Sequence, residues 1–530
     1  MKNGHDGITA VLINPGSNDF VSSMNSMPKE NLGIARLAAY LRHNLNIGTV
    51  IIDQATFQLS NKAVCDEILK LKPGFVGFSP VAQNIGNAIE IGINVRRLLP
   101  EVYIAMGGHH ASLAAAEIIG SELWLDAIAM GYAEPAMKPL MEAILGKCLF
   151  EEVPGLCWRK NGGAVTNPAV PWIDINKLPL PDHDVLNHFI AQEKHLIAAC
   201  SINTAIGCPF NCSYCTTPCF MRLHPQAHWQ ALSVGKVMEE IAKIKKIGVK
   251  FFWFADDNHF ATKEAIERAE AIARQLIQGG TNVKYGILAR ADTLLAHQDS
   301  LDLMIESGLC RISVGFEAMD DATLGQYDKT TDVQQNLAIY GLARKKKLYL
   351  HITFINLHPW TSFESLRRNL NGLIEVEGAS FGNLSSCLQL FPGTPVVERL
   401  RRENLLRGYN YKSSPYAYAF NDPRIGQLAE TLAGMRSDAK FADAWKCDSL
   451  ILDLGLFFAI QGQNQQEFQG LRSRAYSTNA SAFSEMLKLA EDGWDEEGSQ
   501  EIKKEYIKAS KSNLLELKKM HKACMEINMA

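Results

Sequence analysis

Short apolar runs alternate with amphipathic stretches along most of this chain. In the first part the runs are Ile8–Asn14, Thr49–Asp53, Phe75–Ser79, Val102–Met106 and Ala127–Met130. Between them, Leu32–His43, Asn84–Leu99 and Pro135–Leu145 place apolar residues at helical spacing. Brief, almost continuously apolar runs read as strands covered on both faces, so residues 1–150 are expected to form a doubly wound, Rossmann-like parallel sheet of βα units. Such sheets bind ligands beyond the carboxyl ends of their strands. Those ends carry Asn14-Pro15-Gly16, Asp53, Ser79-Pro80, Gly107-Gly108-His109-His110 and Gly131-Tyr132-Ala133-Glu134.

Residues 151–192 read as a connector. A hairpin is expected over Gly155–Lys160 and Ala164–Thr166, turning at Asn161-Gly162-Gly163. Pro179 and Pro181 then forbid helix and favour extended chain. His183, His188 and His195 fall in this stretch and are expected to be solvated.

A second alternation fills 193–395. It starts with Cys200–Ile206 and continues with Val249–Ala255, Val283–Ala289, Cys310–Gly315, Leu348–Ile355 and Gly382–Leu390. The intervening helices are Val234–Lys246, Lys263–Ile277, Thr293–Ser307, Thr331–Lys346 and Ser362–Val376. This pattern predicts a partial (β/α)6 barrel of the TIM type, with functional groups at the carboxyl strand ends. From 396 to 530 the pattern is mainly helical: Val396–Asn404, Asp422–Lys440, Asp448–Gln461, Ser481–Glu491 and Ser499–Cys524. Tyr409 to Phe420 holds four tyrosines and reads as a pocket lining or a packed loop.

With 530 residues the chain exceeds one core, which agrees with several domains. A net charge of −4 gives no electrostatic reason to bind nucleic acid. No apolar run approaches the roughly 18 residues of a spanning helix. Met1–Asp6 lacks a signal-peptide pattern and the twelve cysteines are scattered, so a reducing cytoplasm is the expected compartment.

The densest chemistry is Gly207-Cys208-Pro209-Phe210-Asn211-Cys212-Ser213-Tyr214-Cys215, a C-x3-C-x2-C run after an apolar strand. Three thiolates this close can hold three irons of a [4Fe–4S] cluster and leave the fourth open for chemistry. A structural zinc site would want a second cysteine pair, which is missing. Cys219 is the nearest further thiol, either a spare or the fourth ligand of a small metal knuckle. Polar residues follow the later strands: Asp256-Asp257-Asn258, Arg290 and Glu317. Each alone reads as a helix cap or an ion pair, and together they form a ring of hydrogen-bonding groups around the cysteine loop.

The run C-x3-C-x-Tyr-C resembles the cluster motif of the radical S-adenosylmethionine (SAM) superfamily. Gly315-Phe316-Glu317, Tyr327-Asp328-Lys329-Thr330-Thr331 and Phe391-Pro392-Gly393-Thr394-Pro395 resemble further motifs of that barrel, whereas Leu357-His358-Pro359-Trp360-Thr361 departs from the usual Gly-x-Pro-Gly-Glu-Thr. The resemblance implies Cys208, Cys212 and Cys215 as cluster ligands, Tyr214, Asp256, Arg290 and Glu317 as SAM contacts, and an electron donor such as flavodoxin or ferredoxin. Upstream, Gly107-Gly108-x-His110-x-Ser112 followed by Gly131-x-x-Glu134 is similar to the cobalamin-binding domain that precedes many radical SAM domains. That implies corrin contacts from Ser79, Gly107, Gly108, His110, Ser112, Gly131 and Glu134. The D-x-H-x-x-G motif that supplies cobalt's lower ligand in other cobalamin proteins is absent from this region. In such proteins a methyl passes from SAM through cobalamin to a carbon, or a phosphinate phosphorus, of a small-molecule or peptide substrate activated by a 5′-deoxyadenosyl radical. A radical cyclisation or rearrangement and a non-catalytic metal-stabilised binding protein are the alternatives. The C-terminal region is expected to close the barrel and help choose the substrate.

Overall fold

The structure, a computed structural model, describes residues 9–16, 30–168, 172–192, 196–224, 229–408, 410–412, 417–462 and 466–529. Ile8, His195, Tyr409 and Tyr416 lie outside them. The first sheet contains β1 (Thr9–Asn14), β2 (Gly48–Asp53), β3 (Phe75–Phe78), β4 (Tyr103–Met106) and β5 (Ala127–Ala129), each within two residues of its sequence-predicted bounds. These five strands run parallel in the order β2-β1-β3-β4-β5, so the winding reverses between β1 and β3. A reversal opens a crevice at the carboxyl ends, where doubly wound folds bind ligands. Apolar side chains bury on both faces of the sheet, Val11, Ile13 and Val76 in one cluster and Ala10, Leu12 and Phe75 in the other.

The hairpin is not a free connector. Its strands β6 (Leu156–Lys160) and β7 (Gly163–Thr166) extend the same sheet antiparallel to β5. Leu156 and Cys157 are fully buried, and that apolar pair draws the hairpin onto the sheet edge. His183 also differs from a solvated histidine. It is 1% exposed, with Nδ1 3.0 Å from Glu30 and Nε2 3.4 Å from Glu240, and it joins the first domain to the barrel.

The barrel strands are β8 (Ala199–Ile202), β11 (Phe251–Phe254), β12 (Lys284–Ala289), β13 (Leu309–Glu317) and β14 (Tyr349–Phe354), and β9 (Ala205–Ile206) forms a separate antiparallel pair with β10 (Gln230–Ala231). Five of these strands are parallel in the order β14-β13-β12-β11-β8. The expected sixth strand over 382–390 is reduced to one parallel bridge, Leu357 to Cys387. Ser380 caps a short helix over Phe381–Leu384, which consumes the start of that run. Side-chain caps at Ser233, Thr262, Asp332 and Ser362 start the barrel helices close to their expected positions. Thr293–Ser307 divides at His297 into two helices.

The C-terminal helices Ala442–Gln461, Gln466–Asp492 and Glu496–Met529 pack against one another. They cover the barrel from its amino end, where Leu456 joins Ala199, Phe251 and Cys310 in one apolar cluster. The helical region therefore closes the barrel from below. Near Tyr411 the chain crosses to the first domain instead. That ring is buried in the domain's core, and its hydroxyl donates to Glu122 Oε1 at 2.6 Å. No helix among the described residues is long and apolar enough to cross a membrane.

Candidate active site at the domain interface

The cysteine loop leaves β9 at Gly207, whose φ of +85° belongs to the left-handed region that only glycine adopts without strain. Three separate elements pin its backbone. Gly207 N donates to Asp257 Oδ2 at 3.0 Å, Ser213 N donates to the Tyr327 carbonyl at 3.0 Å, and Val396 N donates to the Ser213 carbonyl at 3.1 Å. The thiols of Cys208, Cys212 and Cys215 are half-buried at the carboxyl end of the barrel. Among the described residues no three His, Cys, Asp or Glu side chains converge on a single ion. A cubane cluster takes its thiolates on three different irons, which three cysteines on one pinned loop can supply. Burial pushes the Cys208 thiol up and the Cys215 thiol to about 11, so the free chain carries protons that cluster binding must release. Cys219 is placed differently. Its buried thiol donates to the Gly393 carbonyl at 3.2 Å and accepts from Arg222 at 3.0 Å.

Around this loop the strand-end residues separate into two groups. Arg290 lies with its guanidinium 4.0 Å from the Phe210 ring centre, paired to Asp292 at 2.8 Å and donating to Thr330 Oγ1 at 2.6 Å. Glu317 sits at φ +62° with its carboxylate 3.1 Å from Lys329 Nζ, both nearly buried. Tyr214 shares a hydrogen bond with Glu317, and its ring stands edge-on to Tyr327 at 5.3 Å. These groups face the mouth. Asp256 does not. Its Oδ1 accepts from Thr204 N at 2.6 Å and Ala205 N at 2.8 Å, and its Oδ2 meets Thr204 Oγ1 at 2.7 Å and His259 Nδ1 at 3.0 Å. Burial opposes its charge, yet His259, Arg268 and Thr204 hold the carboxyl below the usual range. Both oxygens are spent on the bend between β8 and β9. The neighbouring Asp257 holds Gly207 and Thr217 of the cysteine segment and faces His109 across the domain boundary.

A cavity of about 480 Å³ opens at the carboxyl ends of the first sheet, at the β1/β3 reversal. Ser79, Gly107, Gly108, His110, Gly131 and Glu134 line its first-domain side, and Thr216 and Phe220 of the helix after Cys215 line the other. Gly108 (φ +90°) and Gly131 (φ +73°) form its floor. A side chain at Gly108 would press on Ser79 Oγ at 3.1 Å, and one at Gly131 would collide with His224 Nε2 at 2.5 Å. Such a cradle lets backbone approach a broad, flat ligand. Ser112 acts beneath the surface, its hydroxyl accepting from Gly131 N at 3.0 Å. Glu134 is buried in an ion pair with Arg36 at 2.6 Å, and Arg36 lies over the Tyr132 ring. His110 lines the cavity with its Nε2 held 3.0 Å from the Tyr411 carbonyl. His109 lines it as well, its ring tilted against Phe220 with 3.9 Å between ring centres.

Lys329, Phe210, His109 and Arg36 join the candidate site without having been given a role in the sequence, where Asp257 stood only as one member of the strand-end ring. His109 sits one position from a residue that was singled out. Lys329 stands in a motif noted only for its turn.

The chain matches a family model described as the radical SAM superfamily over residues 202–368 and one described as the B12 binding domain over residues 28–140. It is 28% identical over 332 residues to an anaerobic magnesium-protoporphyrin IX monomethyl ester cyclase of Rubrivivax gelatinosus, covering 61% of this chain and 58% of that protein. It is 25% identical to the hopanoid C-3 methylase of Methylococcus capsulatus, covering 72% of this chain and 70% of that protein. The chain thus spans little more than half the length of the cyclase. The fold is similar to that of the cobalamin-dependent SAM radical enzyme OxsB, solved with aqua-cobalamin and SAM bound. That likeness has a TM-score of 0.73 at 18% identity, over 99% of this chain and 82% of the other.

Proposed function

We propose that this chain, which carries a B12-binding domain followed by a radical SAM domain, is a cobalamin-dependent radical SAM methyltransferase. Its substrate would be an unactivated carbon or a phosphinate phosphorus of a biosynthetic intermediate. One observation carries this reading: the two cofactor regions share a wall. The cavity of the first domain is closed by Thr216 and Phe220, on the helix that begins directly after Cys215. When bound, a [4Fe–4S] cluster supplies the electron that cleaves SAM, and cobalamin supplies methyl-group transfer.

The chain's own residues bind, orient and shield. Cys208, Cys212 and Cys215 hold the cluster on a loop that Asp257, Tyr327 and Val396 keep rigid. Arg290, over the Phe210 ring with its Nε and Nη2 held by Asp292 and Thr330, offers its remaining Nη1 to the SAM carboxylate. Glu317, neutralised by Lys329 and steadied by Tyr214, takes the ribose hydroxyls or the amine. Asp256 is a positioning residue for the β8–β9 bend. In the first domain Ser79, Gly107, Gly108 and Gly131 cradle the corrin, Ser112 holds Gly131 in place, and Glu134 acts through Arg36. His110 fastens the Tyr411 crossing, and His109 lines the cavity beside it. The aromatic seam of Tyr132, Phe220 and His224 excludes water and stray hydrogen donors. We place the boundary of the corrin-binding domain after β7 rather than before it.

A radical cyclase is the second reading, favoured by the relative that is named as one. The two differ in products. A methyltransferase of this kind forms both S-adenosylhomocysteine and 5′-deoxyadenosine as substrate is consumed, whereas a cyclase forms 5′-deoxyadenosine without S-adenosylhomocysteine. Reduced, cobalamin-loaded protein incubated with SAM and a candidate substrate therefore decides between them.

A further inference from the structure

A second cavity, of about 690 Å³, lies at the opposite end of the barrel. It opens among the first residues of β12, β13 and β14 and is roofed by the helices Ala442–Gln461 and Gln466–Asp492. β13 is nine residues long, so at about 3.3 Å per residue this cavity is roughly 30 Å from the mouth that holds the cysteines. The barrel interior between the two is filled. Arg311 stacks on Trp253 at 5.0 Å and on Tyr349 at 5.8 Å, and Leu456 plugs the floor against Phe251. The lower cavity is therefore separate from the reaction chamber.

Its lining is chemically pointed. Asp448, 8% exposed, spends Oδ2 on Gly382 N at 2.9 Å and has the Phe381 amide and the Asn479 side chain beside it, with no close hydrogen bond to Oδ1 among the described residues. The indole Nε1 of Trp445, also 8% exposed, is unpartnered among the described residues. Buried polar atoms are almost always satisfied, so the unpartnered indole N–H on this cavity wall points to a guest that satisfies it, beside a carboxylate with acceptor capacity to spare. Tyr340, Tyr349 and Tyr476 supply flat aromatic surface. At the rim stand Lys284 and Lys347, which carry no ion pair among the described residues, together with Arg344, Lys346 and Arg472. Against these five cations the lining has only Glu377 and Asp448 as acids.

We propose that this amino-end cavity is a second small-molecule site, built for a planar aromatic compound bearing an anionic group. The aromatic part lies against the tyrosines with polar edges on Asp448 and Trp445, and the anion reaches Lys284 and Lys347. Burial lifts the Asp448 carboxyl to about 7, so near neutrality it can donate or accept. The site regulates or stabilises the barrel rather than feeding it, because Trp253, Arg311 and Tyr349 block the way through. The proposal stands whether the upper site methylates or cyclises.

The test uses 8-anilinonaphthalene-1-sulfonate as an anionic aromatic probe, on the full chain with its cofactors and saturating SAM. Saturable fluorescence is expected, with the uncharged N-phenyl-1-naphthylamine binding at least about tenfold more weakly. Lys284→Glu with Lys347→Glu should weaken the sulfonate about tenfold while leaving 5′-deoxyadenosine formation unchanged. Trp445→Phe should also weaken it, and this second variant serves if the double reversal does not fold. No saturable binding, equal binding of the neutral probe, or unchanged affinity in the folded variants would overturn the proposal.

Discussion

Replacing Asp256 by alanine removes the acceptor for two backbone N–H groups, one hydroxyl and one imidazole, all buried at the bend that launches the cysteine loop. Each orphaned buried group costs about 1–3 kcal/mol. The two backbone donors cannot turn elsewhere, so the loss should be about 4 kcal/mol, close to the figure for breaking a buried charge pair. Asparagine behaves differently. Both backbone donors bind Oδ1, which the amide oxygen reproduces, and only Oδ2 is exchanged for NH₂. Asp256→Asn should therefore cost about 1–2 kcal/mol. Urea unfolding, read by hydrogen exchange across residues 199–207, measures both values, and equilibrium binding measures SAM affinity on reconstituted protein. The account expects Asp256→Ala to lower the urea midpoint well below that of Asp256→Asn, and folded Asp256→Asn to bind SAM normally. Unchanged stability with about tenfold weaker SAM binding would refute the reasoning and return Asp256 to the ligand-contacting set.

Three further outcomes follow. Cys219→Ser should keep full iron content after anaerobic reconstitution, because that thiol bonds to Gly393 and Arg222, whereas Cys215→Ser should lose the iron–sulfur absorbance. Gly131→Val should abolish corrinoid retention on gel filtration while leaving iron content intact, since the side chain would collide with His224 at a positive φ. The His183 pair gives a pH dependence. Burial works against its charge, but Glu240 and Glu30 lift its pKa to about 9. A raised pKa means the stabilisation is complete below about 6.5, the unfolded value, and is lost as pH rises through about 9. The change is on the order of 3 kcal/mol, and a thermal melt series from pH 6 to 10 on wild type and His183→Gln should show the slope only in wild type.

Much of this fold was legible in the sequence because parallel strands covered on both faces are apolar nearly throughout and are followed by amphipathic helices, some of them side-chain capped. The five strands of the first sheet and the helix Val234–Lys246 show this directly. The sixth barrel strand misled because Gly382–Leu390 mixes Leu384, Cys387, Leu388 and Leu390 with Asn383, Ser385, Ser386 and Gln389 without a clear period, and the Ser380 cap turned its start into helix. The long helix Gln466–Asp492 was visible only in its second half, since glycine, serine and asparagine thin the pattern before Ser481. Phe468, Leu471, Ala475 and Phe483 nevertheless bury at helical spacing, and tertiary packing overrides the weak local propensity.

At the site, spacing alone identified the cysteine run, because a short motif carries its chemistry locally. It could not separate Asp256 from Asp257, or His110 from His109. Neighbouring side chains leave the backbone in different directions, and only the bend after β8 and the turn after β4 decide which partners each one meets. The Glu317–Lys329 pair was hidden for another reason: twelve residues separate the partners in the chain, and their contact exists only once the barrel closes.

The central claim, that a corrin and an open iron–sulfur cluster face each other across the wall of Phe220 and Thr216, is tested most directly by metal and corrinoid analysis of protein reconstituted anaerobically with iron, sulfide and hydroxocobalamin. The account predicts one corrinoid and one [4Fe–4S] cluster per chain, with corrinoid lost in Gly131→Val and cluster lost in Cys212→Ala. A folded protein that takes up the cluster but no corrinoid, or that retains the cluster in Cys212→Ala, would contradict it.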